Sequence, residues 1–397
     1  MTDNKQENTK KAAAAITAAA LISIFVYSFV VSLPSILINE VVDTFSLEGA
    51  EQGLMGTLTS LGFMLSLFFT VLIQGRAQKS TVIIAALAAQ ALMLFICGTA
   101  PVFYLFCTGC VLLGFGGGFI DTFSNSAIVD VQRRENSRYL GYLHGLFGVG
   151  SLLSPLVFLW VLRYTDWRGI YYALVIVSIF VILLIFLLLR NLRKKSAKST
   201  ARENLFTKAD LIAYLKVKRN VALATAGLFA TFAISCIMVW IVRYMTLRYD
   251  AAELGALSYT IYWMCATANR FLLAQIVKRA PMKFFTLGAF LSGAFIITGI
   301  ISGNPVVLCV MMGAFGFCSG HFVPVLVSES AAGYEGRTTF TTSLIMFVMS
   351  VGRMAAPVMI AFISTQISPT TGMLLPVAAA VIAAGCGWYV IKIPARN

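Results

Sequence analysis

The sequence predicts an all-α polytopic membrane protein of twelve transmembrane helices in two pseudo-symmetric six-helix bundles, and three observations carry that prediction. Hydrophobic residues make up 59% of the 397 and charged residues only 12%, a balance foreign to soluble domains of this length. Apolar runs recur along the whole chain, each near the roughly 20 residues that cross a bilayer. Basic residues collect in alternate loops, the usual signature of membrane topology.

Taken in order, residues 1–11 are polar and carry Lys5, Lys10 and Lys11. The run at 12–38 that follows is too long for a signal peptide and lacks a small-residue cleavage site, so it reads as an uncleaved first span. Further spans are expected at 50–73, 80–98, 102–129, 139–162, 170–189, 219–243, 254–276, 283–302, 305–328, 338–363 and 370–391. Of the 30 Lys and Arg, Arg163, Arg168, Arg243 and Arg248 fall in the outer loops and Arg270 and Arg353 within spans. The rest lie on one side, which places both termini in the cytoplasm and the chain, multi-pass, in a plasma membrane, here a bacterial inner membrane. The expected organisation is a bundle at 1–190, a cytoplasmic basic linker at 191–218 and a second bundle at 219–397. Within the linker, Leu211, Ile212 and Leu215 at helical spacing and a Thr207-x-x-Asp210 capping pattern suggest a short amphipathic helix.

Composition also excludes functions. The net charge of +14 is topological and implies no nucleic-acid partner. Eight cysteines lie inside apolar runs with no paired loop spacing, which argues against a disulfide framework and against a zinc site. No metal-ligand pair, nucleotide loop or nucleophile with its base is recognisable, so neither a metal, a cofactor nor an enzyme is expected.

The halves repeat. One ungapped offset of 202 residues pairs Glu51 with Glu253, Gly53 with Gly255, Arg76 with Lys278, Cys107 with Cys309, Gly114 with Gly316, Gly118 with Gly320, Gly150 with Gly352 and Pro155 with Pro357. A duplicated six-helix unit is the expected origin, with a binding site between the copies near the midplane.

The fourth span carries the sharpest feature, GFGGGFIDTFSNSAIVDV at 114–131. Gly114, Gly118, Asp121 and Asn125 share one helical stripe, which reads as pathway-lining because an intramembrane carboxylate faces a bundle interior or a wet cavity. The alternative is an Asp merely satisfied by a neighbouring helix. Together with YLHGLFGVGSLLSPL in the fifth span and GAFGFCSGHFVPVLVSES in the tenth, this stretch resembles the fucose/proton symporter branch of the major facilitator superfamily. The matching residues are Asp121, Asn125, Leu143, His144, Gly148, Gly150 and Pro155. The resemblance implies secondary transport of a sugar or similar polyol, with Asp121 as the protonatable group. Two features depart from it: the first span has no acidic residue in its middle, and the signature after the second span is reduced to Gly75, Arg76 and Lys79.

Roles follow residue by residue. Asp121 and His144 are the proton-coupling candidates, His144 having a purely structural alternative within the helix pair. Asn125, Tyr27, Trp240, Tyr262, Trp263, His321 and Arg353 are the substrate candidates; Trp240 and the nearby Tyr259 read first as interfacial belt residues. A buried Arg needs an anionic partner, so Arg353 either pairs with a carboxylate or recognises an anionic substrate. Arg270 either snorkels or pins the inner gate. Gly150, Pro155, Gly352 and Pro357 are expected to serve helix movement and packing. The expected function is secondary active transport of a small polar solute, coupled to a proton or to sodium, by a monomer in the lipid bilayer. Efflux of a drug or anionic metabolite is the alternative.

Overall fold

The computed structural model describes residues 2–73, 77–132, 136–189, 208–277, 279–332 and 338–393, and these fold without strands. The helices are α1 (Thr2–Ile36), α2 (Ile38–Phe45), a 3-10 turn (Gly49–Gly53), α3 (Leu54–Ile73), α4 (Lys79–Thr99), α5 (Phe103–Val131), α6 (Asn136–Val161) and α7 (Trp167–Leu189). They continue as α8 (Lys208–Leu215), α9 (Lys218–Tyr249), α10 (Ala252–Leu272), α11 (Ala274–Val277), α12 (Pro281–Ile301), α13 (Pro305–Ser319), α14 (Phe322–Ala331), α15 (Thr338–Gln366), α16 (Pro369–Gly372) and α17 (Leu374–Lys392).

Among the described residues, eleven of the twelve expected spans are long and apolar enough to cross a membrane on composition alone. The twelfth, α10, has the length but carries Tyr259, Tyr262, Trp263, Asn269 and Arg270, which lower its hydropathy. It is the most polar span, and polar groups at membrane depth mark function more often than packing.

Two compact units form, one from Met1–Leu33 with Leu58–Glu203, the other from Pro34–Thr57 with Asn204–Asn397. The segment 34–57, the hairpin after the first span, thus clusters with the second set of helices. In that unit Pro357 of α15 packs against Gly53 and Gly56, a Cβ on Gly53 running into the Pro357 carbonyl, and the Val358 N–H donates to Thr57 Oγ1 at 3.2 Å.

Inside each unit the close approaches repeat. A Cβ on Gly114 would collide with the Thr59 carbonyl of α3, and one on Gly316 with the Tyr262 carbonyl of α10. Gly150 meets Ser28 and Phe25 of α1, and Gly352 meets Leu228 and Thr231 of α9. Partners as well as glycines therefore correspond at nearly the 202-residue offset, as expected of a duplicated unit whose helices approach through small residues.

Five spans differ from the uninterrupted helices expected. The eighth breaks at Leu273 into α10 and α11, and the twelfth at Met373 into α16 and α17. The first breaks at Leu37 into α1 and α2, the second opens with the 3-10 turn, and the tenth breaks at Gly320–His321 into α13 and α14. Prolines explain the way the bundle copes. A proline denies the carbonyl four residues earlier its helical donor, and in a bilayer no water replaces it. Pro155 strips Ser151 O, to which Ser154 Oγ donates at 3.0 Å. Pro357 strips Arg353 O, to which Ser235 Oγ donates at 3.0 Å. Pro324 strips Gly320 O, and here the donor is Arg270 Nε at 2.9 Å.

In the linker, α8 buries Tyr214 and exposes Ile212 and Leu215. Thr207 of the capping pattern, and Gly75 and Arg76 of the reduced signature, lie outside the described residues.

Candidate functional site

In the first unit α5 brings the candidates together. Asn125 Nδ2 donates to the Asp121 carbonyl at 2.8 Å and to Asp121 Oδ1 at 3.1 Å, and both side chains are half-buried. The i, i+4 spacing makes this contact automatic on a helix. The glycines of the stripe do something else: Gly114 and Gly118 are buried against α3, where a Cβ on Gly118 would strike Ser66 Oγ. The expected pathway-lining stripe is thus split, its bare half closed by helix packing and only its polar half available. Gly117 does not stand out in the sequence, yet it makes room for Tyr27, whose ring occupies the place of the missing Cβ. Tyr27 is held from the other side by Phe147 of α6, ring centroids 6.2 Å apart. Gly117 lies one turn before Asp121, so the phenol ring packs on α5 one turn short of the Asp121 level. His144 is exposed on α6. Gly150 and Pro155 are buried on the same helix, where they set its packing against α1 and its carbonyl repair.

At one end of that unit Lys79 Nζ pairs with Asp130 at 2.7 Å and donates to the Ser126 carbonyl at 3.1 Å, locking the start of α4 to the end of α5.

In the second unit the polar centre gathers on α10 and α13. Ser319 Oγ donates to Tyr262 Oη at 3.3 Å, and the Tyr262 ring lies 5.3 Å from Phe315 and 5.6 Å from Trp263. The Arg270 guanidinium lies 6.0 Å from the Trp263 ring centroid. Its Nε is committed to Gly320 O, so the side chain turns into the bundle, and the snorkelling alternative fails. The neighbouring Asn269 is 1% exposed, and neither its oxygen nor its nitrogen has a hydrogen-bond partner among the described residues. Arg353, half-buried on α15, donates from Nη2 to Ser350 Oγ at 3.3 Å. Gly352 and Pro357 of the same helix are buried packing positions.

Trp240 is fully buried and Tyr259 is 2% exposed. A belt residue lays its ring at the lipid headgroups, so the belt reading of both is corrected. His321 is buried as well, edge-on to Phe322 and directed at Gly288 of α12.

A polar cluster that sequence reading missed ties the 34–57 hairpin to α9. Arg243 Nη1 donates to Asn39 Oδ1 at 3.1 Å and Nε to Gln52 Oε1 at 3.4 Å, while Asn39 Nδ2 donates to Thr246 Oγ1 at 2.7 Å. In the sequence Arg243 reads only as an outer-loop charge. On α2, beyond the first span, Glu40 is half-buried, with Oε2 enclosed and unpartnered among the described residues. Burial pushes its carboxyl above the ordinary 4.5, against the lowering effect of a backbone hydrogen bond, and Asp43 adds to the rise. The folded protein therefore holds this proton more tightly than the unfolded chain. The resulting stability is complete below pH 4.5 and is lost as pH rises toward the folded value. Thermal unfolding should show the wild type losing a few degrees relative to Glu40→Gln as pH is raised through that window. Parallel pH profiles would refute this account of Glu40.

The sequence profile described as Major Facilitator Superfamily matches residues 20–301. No curated protein matches the chain. Among solved structures, a bacterial homologue of the human lysosomal transporter Spinster, inward-facing and unoccupied, is similar with a TM-score of 0.74 at 15% identity, over 96% of each chain. A D-xylose-proton symporter gives 0.76 at 13% identity, over 95% of this chain and 97% of that one. The transporter FucP in its outward conformation gives 0.64 at 16% identity, over 94% and 98%. At these identities the likeness is one of fold.

Proposed function

Because the chain belongs to the major facilitator superfamily, we propose that it moves a small polar solute, a sugar or related compound, by proton-coupled alternating access. The observation that carries this reading is Asp121. It is the only carboxylate in the interior of a described span, the others standing at span ends. It is joined to Asn125 and lies one helical turn along α5 from Gly117, the glycine that receives the Tyr27 ring. Ionisable side chains within membrane spans face a bundle interior or a wet cavity and mark proton relays, which is the position a coupling group needs. A phenol ring and an amide are suitable partners for a polyol. A proton symporter among the proteins of like fold supports the same reading.

Tyr262, Trp263 and Ser319 offer a second aromatic and hydroxyl surface, and Trp240 and His321, being enclosed, act by shaping it. The positive-inside pattern supports a bacterial inner-membrane location with both termini cytoplasmic. The protein works as a monomer, with bundles at 1–190 and 219–397 joined by the basic linker.

One observation favours a second reading, efflux or exchange of an anionic solute. The Arg270 guanidinium sits within a span of the second unit and its Nε donates to Gly320 O, a neutral oxygen.

Proteoliposomes with an acidic exterior distinguish the readings when offered labelled sugars and organic anions. Concentrative sugar uptake that collapses with a protonophore is expected. Uptake indifferent to the protonophore would refute proton coupling, and accumulation of anions alone would establish the second reading.

A further inference from the structure

A groove of about 330 Å³ opens at the end of the second unit where α9 and α12 begin and α14 and α17 finish. Its floor is apolar, formed by Met282, Val390, Ile391 and Ile393. Its rim carries Arg219, Arg279, Lys283 and one carboxylate, Glu329. Arg219 is ion-paired with Glu329, both mostly enclosed at 11% and 18% side-chain exposure. That pair cancels. Arg279 and Lys283 are exposed and have no ion pair among the described residues. The groove is therefore cationic over an apolar base, and the first turn of the 21-residue α12, with Pro281 at its start, opens into it, adding positive potential.

The level of the groove in the bilayer is marked independently. Trp388 and Tyr389, in the last turn and a half of α17, are 56% and 45% exposed, and Lys392 folds back with Nζ 5.2 Å from the Trp388 ring. Exposed aromatic rings with a snorkelling lysine beyond them are the marks of the membrane–water boundary. A groove at that height with two unanswered cations and an apolar floor matches a group with an anionic phosphate and a hydrocarbon body.

We propose that this groove binds the headgroup of an anionic phospholipid, Arg279 and Lys283 holding the phosphate while the partly exposed Ile391 and Ile393 meet the start of its hydrocarbon. The inference rests on the chain spanning a bilayer and is independent of what it transports.

Delipidated, full-length protein in detergent tests it by thermal unfolding against phosphatidylglycerol, phosphatidylcholine and soluble glycerol phosphate. Phosphatidylglycerol should raise the midpoint saturably, and rising salt should erode the effect. In Arg279→Gln/Lys283→Gln, whose changes are confined to exposed side chains, its apparent affinity should fall on the order of twenty- to thirty-fold, since each basic residue near an anionic surface contributes roughly a fivefold factor. An equal response to phosphatidylcholine, or an unchanged affinity in the double variant, overturns the proposal. So does an equal response to glycerol phosphate, which would make the site one for a soluble phosphate.

Discussion

Asp121→Asn is expected to abolish pH-driven accumulation while leaving binding and counterflow intact. Asn reproduces the shape and neutrality of the protonated acid, and its amide still meets Asn125 across one helical turn, where Asn125 Nδ2 now donates at 3.1 Å to Oδ1 and at 2.8 Å to the Asp121 carbonyl. What it lacks is a proton to release. One pH unit is worth about 1.4 kcal/mol per proton, or roughly tenfold accumulation of a neutral solute at one proton each. The variant should show none of that ratio under the same gradient. Counterflow, in which labelled solute exchanges for unlabelled without net proton movement, should persist within a few-fold of wild type. A variant that still concentrates solute would remove Asp121 from coupling. A variant that unfolds, or binds nothing, would assign Asp121 to helix packing through Asn125.

Much of this was legible in the sequence because membrane folds obey few rules. Length and apolarity located the spans, and α10 was found by its place in the series even though its own composition is the least apolar. The 202-residue repeat survived because close helix approach needs small residues at fixed places: Gly150 meets Ser28 as Gly352 meets Thr231. The Asp121–Asn125 contact was legible because i, i+4 neighbours meet on any helix. The misses were tertiary. Trp240 and Tyr259 looked like belt residues because linear position says nothing about which way a ring faces, and both turned inward. Tyr27 could be proposed as a binding residue, but only the packing shows that Gly117 receives it. The Asn39–Gln52–Arg243 cluster joins positions 191 and 204 residues apart, beyond the reach of any periodicity. One signal was available and unused. Each intramembrane proline names a carbonyl four residues earlier that needs a donor, and counting back from Pro155, Pro357 and Pro324 would have pointed to Ser151, Arg353 and Gly320 as places where a polar side chain must arrive.

That rule leads to the double substitution of Arg270 and Pro324. If Arg270 Nε is held in the bundle because Pro324 leaves Gly320 O without a donor, the arginine should matter less once the main chain can supply its own. Arg270→Leu strands that carbonyl, a loss of about 1–3 kcal/mol for a buried acceptor. It also removes a guanidinium from the bundle interior, which offsets part of the loss by an amount that no single variant reveals. Pro324→Ala restores an N–H four residues on from Gly320, so in this background the same Arg270→Leu change strands nothing. The offset from removing the charge is common to both backgrounds and cancels in the cycle. Arg270→Leu should therefore be less destabilising in the Pro324→Ala background than in the wild type by about 1–2 kcal/mol, read from thermal unfolding of the four proteins side by side. Strict additivity would mean that the Arg270–Gly320 contact is incidental. The rescued double variant then separates support from recognition, because it keeps the fold without the charge. If it carries neutral sugars and anions alike, Arg270 serves only to mend the α13–α14 break. If it loses anions alone, the guanidinium beside Trp263 reads the charge of the solute, and the second reading of the transported substrate gains its strongest support.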